Sequence, residues 1–151
     1  MSGRFDLPAP EGTCYLAGTL TGAFVEVFQR WIAQRIPIPR SEVEARQASR
    51  LFVPHRVEFA DCTNPRALEF GATGEIHATP DRRLTQAWAA AFRAAGFGGV
   101  RYFVSTSPAM NLAGIALFGE DGEAGWPVAG QAPLDAALLD EIAREFGVLV
   151  R

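Results

Sequence analysis

The first apolar run along the chain, Cys14-Tyr15-Leu16-Ala17, follows Pro10 and Gly12 and predicts a buried strand. Phe24, Val27, Phe28, Trp31 and Arg35 then recur at helical spacing. They predict one apolar stripe with an amphipathic end, capped by Thr19 or Thr21 and stopped by Pro37 and Pro39. Ser41-Glu42-Val43-Glu44 has the form of a capping box, in which the serine hydroxyl accepts a free backbone N–H and Glu44 reaches back. A second, more polar helix is therefore expected to about Arg50.

From Leu51 to Ala60 the apolar residues Phe52, Val57 and Phe59 stand among polar ones, the pattern of a strand. Pro54 cannot donate to a ladder and puts that strand at an edge or a bulge. Asn64-Pro65 through Gly71 reads as a short helical connector, with proline in the first turn and glycine at the end. The same punctuation brackets a longer helix between Thr79-Pro80 and Gly96, with Leu84, Trp88, Ala91, Phe92 and Ala95 on one side. Gly99 to Ser105 and Ala113 to Phe118 are β-rich runs expected as central strands, joined by the polar loop from Thr106 to Leu112. Gly119 to Pro133, which contains Trp126, reads as a surface loop. Asp135 to Phe146 forms the last helix, ahead of the terminal run Val148-Leu149-Val150. Strands and helices mix without strict alternation. The expected class is thus α+β, a single domain over residues 1–151 with a mixed β-sheet core and flanking helices, rather than a doubly wound sheet.

Composition narrows the chemistry. The chain has 151 residues, 48% of them hydrophobic, enough for one self-sufficient core. All 14 basic residues are arginine, so mechanisms that need lysine are excluded, among them the P-loop clamp, Schiff bases and the Ser-Lys dyad. Two cysteines and two histidines are too few for a disulfide scaffold. Cys14, His55, Cys62 and His77 are irregularly spaced and form no compact ligand set, so no metal is expected. Neither cysteine opens a predicted helix, where its thiol would be activated. Gly96-Phe97-Gly98-Gly99 stands between a helix and a strand, the reverse of a dinucleotide fingerprint, and reads as a helix stop.

The formal charge of −3 argues against direct nucleic-acid binding. Its distribution is uneven: seven arginines lie between Arg30 and Arg66, while seven acids lie between Gly119 and Arg151. Residues Met1 to Leu7 contain no apolar run, and no stretch has the length of a membrane span. A soluble cytoplasmic protein is expected.

Four residues stand outside these patterns: Arg4 in Gly3-Arg4-Phe5-Asp6, Tyr15 on the first strand, Glu26 on the first helix and Ser105 at the end of a central strand. At 100° per residue Glu26 points away from the stripe of Phe24, Phe28 and Trp31, as a solvated helix carboxylate does. By spacing alone Tyr15 reads as core and Ser105 as a strand end.

Taken in order, Gly3-Arg4-Phe5-Asp6, Gly12-Thr13-Cys14-Tyr15-Leu16-Ala17, Ala23-Phe24-Val25-Glu26, Gly99-Val100-Arg101-Tyr102 and Ala113-Gly114-Ile115-Ala116-Leu117-Phe118 resemble the successive blocks of a RES domain. The resemblance runs over nearly the whole chain. It implies an ADP-ribosyltransferase-like fold and a toxin of a bacterial type II toxin–antitoxin pair that consumes NAD, with an Xre-like antitoxin as partner. Carried onto this chain, it implies Arg4 as a ligand of the NAD pyrophosphate and Tyr15 as a stacking or positioning group near the nicotinamide ribose. Glu26 becomes the catalytic carboxylate, Ser105 the family serine and Asn111 a further polar contact. NAD hydrolysis or phosphorolysis is expected ahead of protein ADP-ribosylation, with NAD as substrate and no metal.

Two departures define the alternative. The chain begins almost at Gly3, where family members have a further segment, and Val104 occupies the usual place of the serine, with Ser105 one residue later and Ser107 a second candidate. A RES-fold module that binds nucleotide or antitoxin without turnover is the competing expectation.

Overall fold

In a computed structural model, residues 3–53, 56–122 and 126–151 are described. The main sheet has four strands in the order β1-β5-β4-β3. These are β1 (Glu11–Ala17), β3 (Phe59–Asp61), β4 (Gly99–Phe103) and β5 (Ala113–Glu120). β5 lies antiparallel to both β1 and β4, while β3 runs parallel to β4. A parallel pair needs a crossover. Here it consists of a 3-10 turn over Pro65–Phe70, helix α3 (Glu75–Ala78) and helix α4 (Arg82–Ala94). The remaining helices are α1 (Leu20–Gln34), α2 (Arg40–Glu44) and α5 (Ala136–Phe146). The single α+β domain with a mixed sheet and flanking helices is the architecture its sequence predicts.

Local chemistry explains most of the boundaries. Thr19 caps α1 by accepting from the Gly22 N–H, and Arg35 ends it in a left-handed conformation before the two prolines. Asn64 caps the 3-10 turn, and Asp81 and Asp135 cap α4 and α5. The central position of β4 and β5 follows from their apolar runs.

Four expectations are corrected. The polar helix after Pro39 makes only one turn: Ser41 does not cap it, and Gln47–Leu51 instead form β2, antiparallel to β6 (Val128–Pro133). Residues 45–50 carry no apolar stripe that helix packing could reward, whereas a ladder uses backbone groups that every residue has. β6 crosses the expected surface loop and is exposed along its whole length, so no hydrophobic alternation announced it. The strand expected from Leu51 to Ala60 is divided between the end of β2 and β3; Pro54 and His55 lie outside the described residues. β1 begins at Glu11 and is half-buried throughout, because it is an edge strand.

Two apolar clusters result. One gathers Phe24, Val25 and Phe28 of α1 with Leu138 and Ile142 of α5, together with Ile38, Val104 and Val148. The other lies between the sheet and α4 and contains Phe5, Ile76, Ala89, Val100, Tyr102, Ala116 and Phe118. Val27 and Leu84, expected on buried stripes, are exposed. Among the described residues no buried side-chain nitrogen or oxygen lacks a hydrogen-bond partner. No helix there is long and apolar enough to cross a membrane.

Candidate active cleft

The cleft begins with the way β1 holds the residues before it. The Thr13 hydroxyl donates to the Phe5 carbonyl at 2.9 Å and accepts from the Leu7 N–H at 3.2 Å. The Tyr15 hydroxyl accepts from the Phe5 N–H at 2.7 Å and donates to the Asp6 carboxylate at 2.9 Å. Asp6 in turn accepts from the Gly3 N–H. A Cβ at Gly3 would collide with the Tyr15 hydroxyl, so this close approach requires glycine. Phe5 is thereby driven into the core and Arg4, its half-buried neighbour, is turned to the cleft. The Arg4 guanidinium donates to the Thr79 carbonyl at 2.7 Å, which fixes one of its edges.

Glu26 reaches the same place from α1. Its carboxylate accepts a hydrogen bond from the Tyr102 hydroxyl at 3.0 Å. Tyr102 is on β4, buried to 2% exposure, with its ring 5.0 Å from that of Phe5. The ring lies across its β5 partner, Gly114, where a Cβ would come within 2.6 Å of Tyr102 Cζ. Glycine inside a strand here marks a close approach by a neighbouring side chain. It is the space over Gly114 that lets a tyrosine of the sheet reach a carboxylate of the helix.

Gly3, Arg4, Tyr15, Glu26, Gln29, Arg82, Tyr102 and Ser105 line one cleft of about 270 Å³. A larger cleft of about 680 Å³ adjoins it, bounded by the β1–α1 turn, β2 and β6, and shares Tyr15 and Glu26. Glu26 stands at the junction. Burial pushes its carboxyl above the usual range, opposed by the Tyr102 hydrogen bond and by the charges of Arg4 and Arg82. Tyr102 and Tyr15 are both raised chiefly by burial, so their hydroxyls stay protonated. Arg4 is lowered by burial and by Arg82 yet remains a cation.

The structure thus brings Arg4, Tyr15, Glu26 and Ser105 together. Glu26 does leave the stripe of Phe24 and Phe28, but it meets a second wall instead of solvent, because α1 packs on the sheet as well as on α5. A single-stripe reading assumes one buried face. Asn111 lies outside this cleft: it is exposed, and its carbonyl oxygen accepts from the buried Ser107 hydroxyl at 2.8 Å, a contact within the β4–β5 loop. Val104 is fully buried in the α1–α5 cluster, so Ser105 is the residue of this stretch that faces the cleft.

Sequence reasoning missed Arg82, Gln29 and the role of Tyr102. Gln29 follows Glu26 by one helical turn and shares its face. Arg82 and Arg83 open α4, where the helix dipole disfavours cations, a signal that something other than helix stability placed an arginine there.

His77 is in α3, against the end of β4, where its Nδ1 accepts from the Phe103 N–H at 3.2 Å. Burial lowers its pKa. Burial also pushes the Cys62 thiol up to about 11. Among the described residues no group of three His, Cys, Asp or Glu side chains is arranged to hold a metal.

Fold and cleft together define the class: a single α+β domain with an arginine-and-carboxylate site where α1, α4 and the edge of a mixed sheet converge. The chain belongs to the RES domain family, whose family model matches residues 1–135. A chain of the M. tuberculosis MbcT–MbcA toxin-antitoxin complex has the same fold, with a TM-score of 0.68 at 20% identity. The likeness covers 94% of this chain and 76% of that one. No curated protein matches the sequence.

Proposed function

We propose that this protein is an NAD-consuming toxin that cleaves the bond between nicotinamide and ribose, and that a cognate antitoxin, of the Xre-like kind, restrains it in the cytoplasm. The observation that carries this reading is the half-buried Glu26 carboxylate, oriented by Tyr102 in a cleft that also presents Arg4. Cleavage develops positive charge at the ribose anomeric carbon. A fixed carboxylate that accepts a hydrogen bond from a ribose hydroxyl stabilises that charge as it forms, and low polarity around it strengthens the effect. Nicotinamide departs as a neutral pyridine and needs no acid to protonate it. Water then adds at the anomeric carbon and loses a proton, giving ADP-ribose; phosphate in its place gives ADP-ribose phosphorylated at that carbon.

Arg4 suits the other half of the substrate, since a guanidinium fork binds two phosphate oxygens at once. The size of the site is consistent with this. Ligand pockets span roughly 300–1,000 Å³. The arginine-lined cleft alone falls short of that range, but it opens at Glu26 into the larger one, giving a dinucleotide room on both sides of the scissile bond. Tyr15, its hydroxyl already engaged, offers a ring face for stacking. Ser105 in the cleft supports turnover over binding alone. The toxin-antitoxin assembly of the structural neighbour supports the restraining partner.

The direct test incubates purified protein with NAD and follows nicotinamide release for wild type, Glu26→Ala and Arg4→Ala. Wild type is expected to turn NAD over, Glu26→Ala to lose turnover and Arg4→Ala to need more NAD. Equal, slow consumption by all three rejects the reading.

A further inference from the structure

The cleft holds more positive charge than its own side chains neutralise. Arg4 and Arg82 both face it, and its single carboxylate, Glu26, is already engaged by Tyr102. Among the described residues no carboxylate pairs with either arginine. The nearby Asp81 caps α4 and has its ionic contact with Arg83 instead. The two guanidinium groups are close enough that Arg82 disfavours the charge on Arg4. Two guanidinium groups facing one carboxylate leave a positive charge over, which an anionic ligand would neutralise.

The segment that bears Arg4 is also tied down. Two long-range hydrogen bonds tie the segment bearing Arg4 to the start of α4. One runs from Arg4 to the Thr79 carbonyl at 2.7 Å, and the other from the Gln86 amide to the Gly3 carbonyl at 3.1 Å. Gln86 stands one turn along from Arg82 on the same helix face. Arg82 opens α4 behind the Asp81 cap, so its backbone is fixed by that cap, while its side chain projects toward Arg4 and Glu26. Arg4 is thus ordered before a ligand arrives, which spares binding energy on its side of the pair.

We propose that Arg82 is a second anion ligand and that, with Arg4, it grips the diphosphate of the substrate, making the site selective for a dinucleotide diphosphate over nicotinamide nucleosides and mononucleotides. This rests on the NAD reading of the cleft. Two adjacent phosphates carry the two charges that two guanidinium forks complement. One arginine would bind a monophosphate as well as it binds half a diphosphate.

The experiment measures ADP-ribose binding by calorimetry and nicotinamide release from NAD, nicotinamide mononucleotide and nicotinamide riboside, for wild type, Arg82→Ala, Arg82→Lys and Arg83→Ala. Arg83 is the internal control, a neighbour on the same turn whose side chain is 95% exposed and outside the cleft. Arg82→Ala is expected to weaken ADP-ribose and raise KM for NAD by about tenfold or more, as loss of a charged hydrogen-bonding partner does. Release from nicotinamide riboside should be unchanged, and Arg82→Lys should recover part of the loss. Arg83→Ala should stay within about twofold of wild type at physiological salt, where exposed charges are screened. Equal losses in the Arg82→Ala and Arg83→Ala variants, or no loss at Arg82 in a wild type that binds ADP-ribose, overturn the clamp. A wild type that neither binds ADP-ribose nor releases nicotinamide overturns the NAD reading, and the clamp with it.

Discussion

Helix α1 has hydrocarbon on one side and hydroxyl groups on the other. The cluster it shares with α5 is aliphatic and aromatic throughout, with Phe24 and Phe28 rings 4.5 Å apart and Val25 fully buried. The cluster between the sheet and α4 is also closely packed, but it includes Tyr102 and has Tyr15 against it, both with their hydroxyls in hydrogen bonds. The first cluster holds the helix where it is. The second aims the side chains of the cleft. Packing of the first kind is worth the same whichever hydrocarbon supplies it, within limits of volume, whereas the second depends on individual oxygen atoms.

That difference predicts a separation of stability from activity, and the largest effect should fall on the α5 side. Phe28→Ala removes a side chain that is 1% exposed and should cost about 3–5 kcal/mol in denaturant unfolding. A loss near zero would show that this cluster is not what holds α1. Glu26→Gln should do the opposite, lowering nicotinamide release by about 10²–10³-fold, the scale for one stabilising group. It should also leave the protein at least as stable at neutral pH. The sign follows from its raised pKa: in the window above an ordinary glutamate the folded state holds more protons than the unfolded one. Stability therefore falls as pH rises through that window, and glutamine removes the fall. Thermal unfolding of both proteins across the window checks it.

A smaller effect is expected at Tyr102→Phe, which keeps the ring over Gly114 and deletes only the hydroxyl. Turnover should fall about tenfold with KM nearly unchanged, the scale of one charge-assisted hydrogen bond. Because that bond favours the ionised carboxylate, its loss should move the acid limb of the pH–rate profile upward. An unmoved limb would mean that Tyr102 is packing alone. The smallest effect concerns His77, which burial keeps neutral. Its pKa is depressed in the folded state, so the wild type should lose stability as pH falls from the ordinary histidine value through the lowered one. His77→Gln should show a shallower slope in the same melts.

Elements announced by apolar periodicity or by capping residues could be read from the sequence: α1, α4, α5, β4, β5 and the 3-10 turn all fall within a few residues of expectation. The β2–β6 pair could not. Its strands are largely exposed and carry no alternation, so only the partner across the ladder identifies them. The site divides in the same way. Arg4, Tyr15 and Glu26 stood out by their place in ordered blocks, and the cleft contains all three. Arg82 and Gln29 are near these residues only in space, and the importance of Tyr102 depends on a glycine that faces it across the sheet.

What the sequence by itself determined is the inventory: arginine as the sole cation at neutral pH, one α+β domain, and a small set of residues whose family pattern implied an NAD site. Tertiary structure decided how those residues act. It made Glu26 a half-buried carboxylate facing Tyr102 instead of a solvated one, turned Tyr15 into the anchor of the segment that presents Arg4, and set Arg82 beside Arg4 across a gap of more than seventy residues. The reason is physical. Periodicity records which residues of one element share a face, but the ionisation of a carboxylate and the crowding of two cations depend on what a different element brings within a few ångströms.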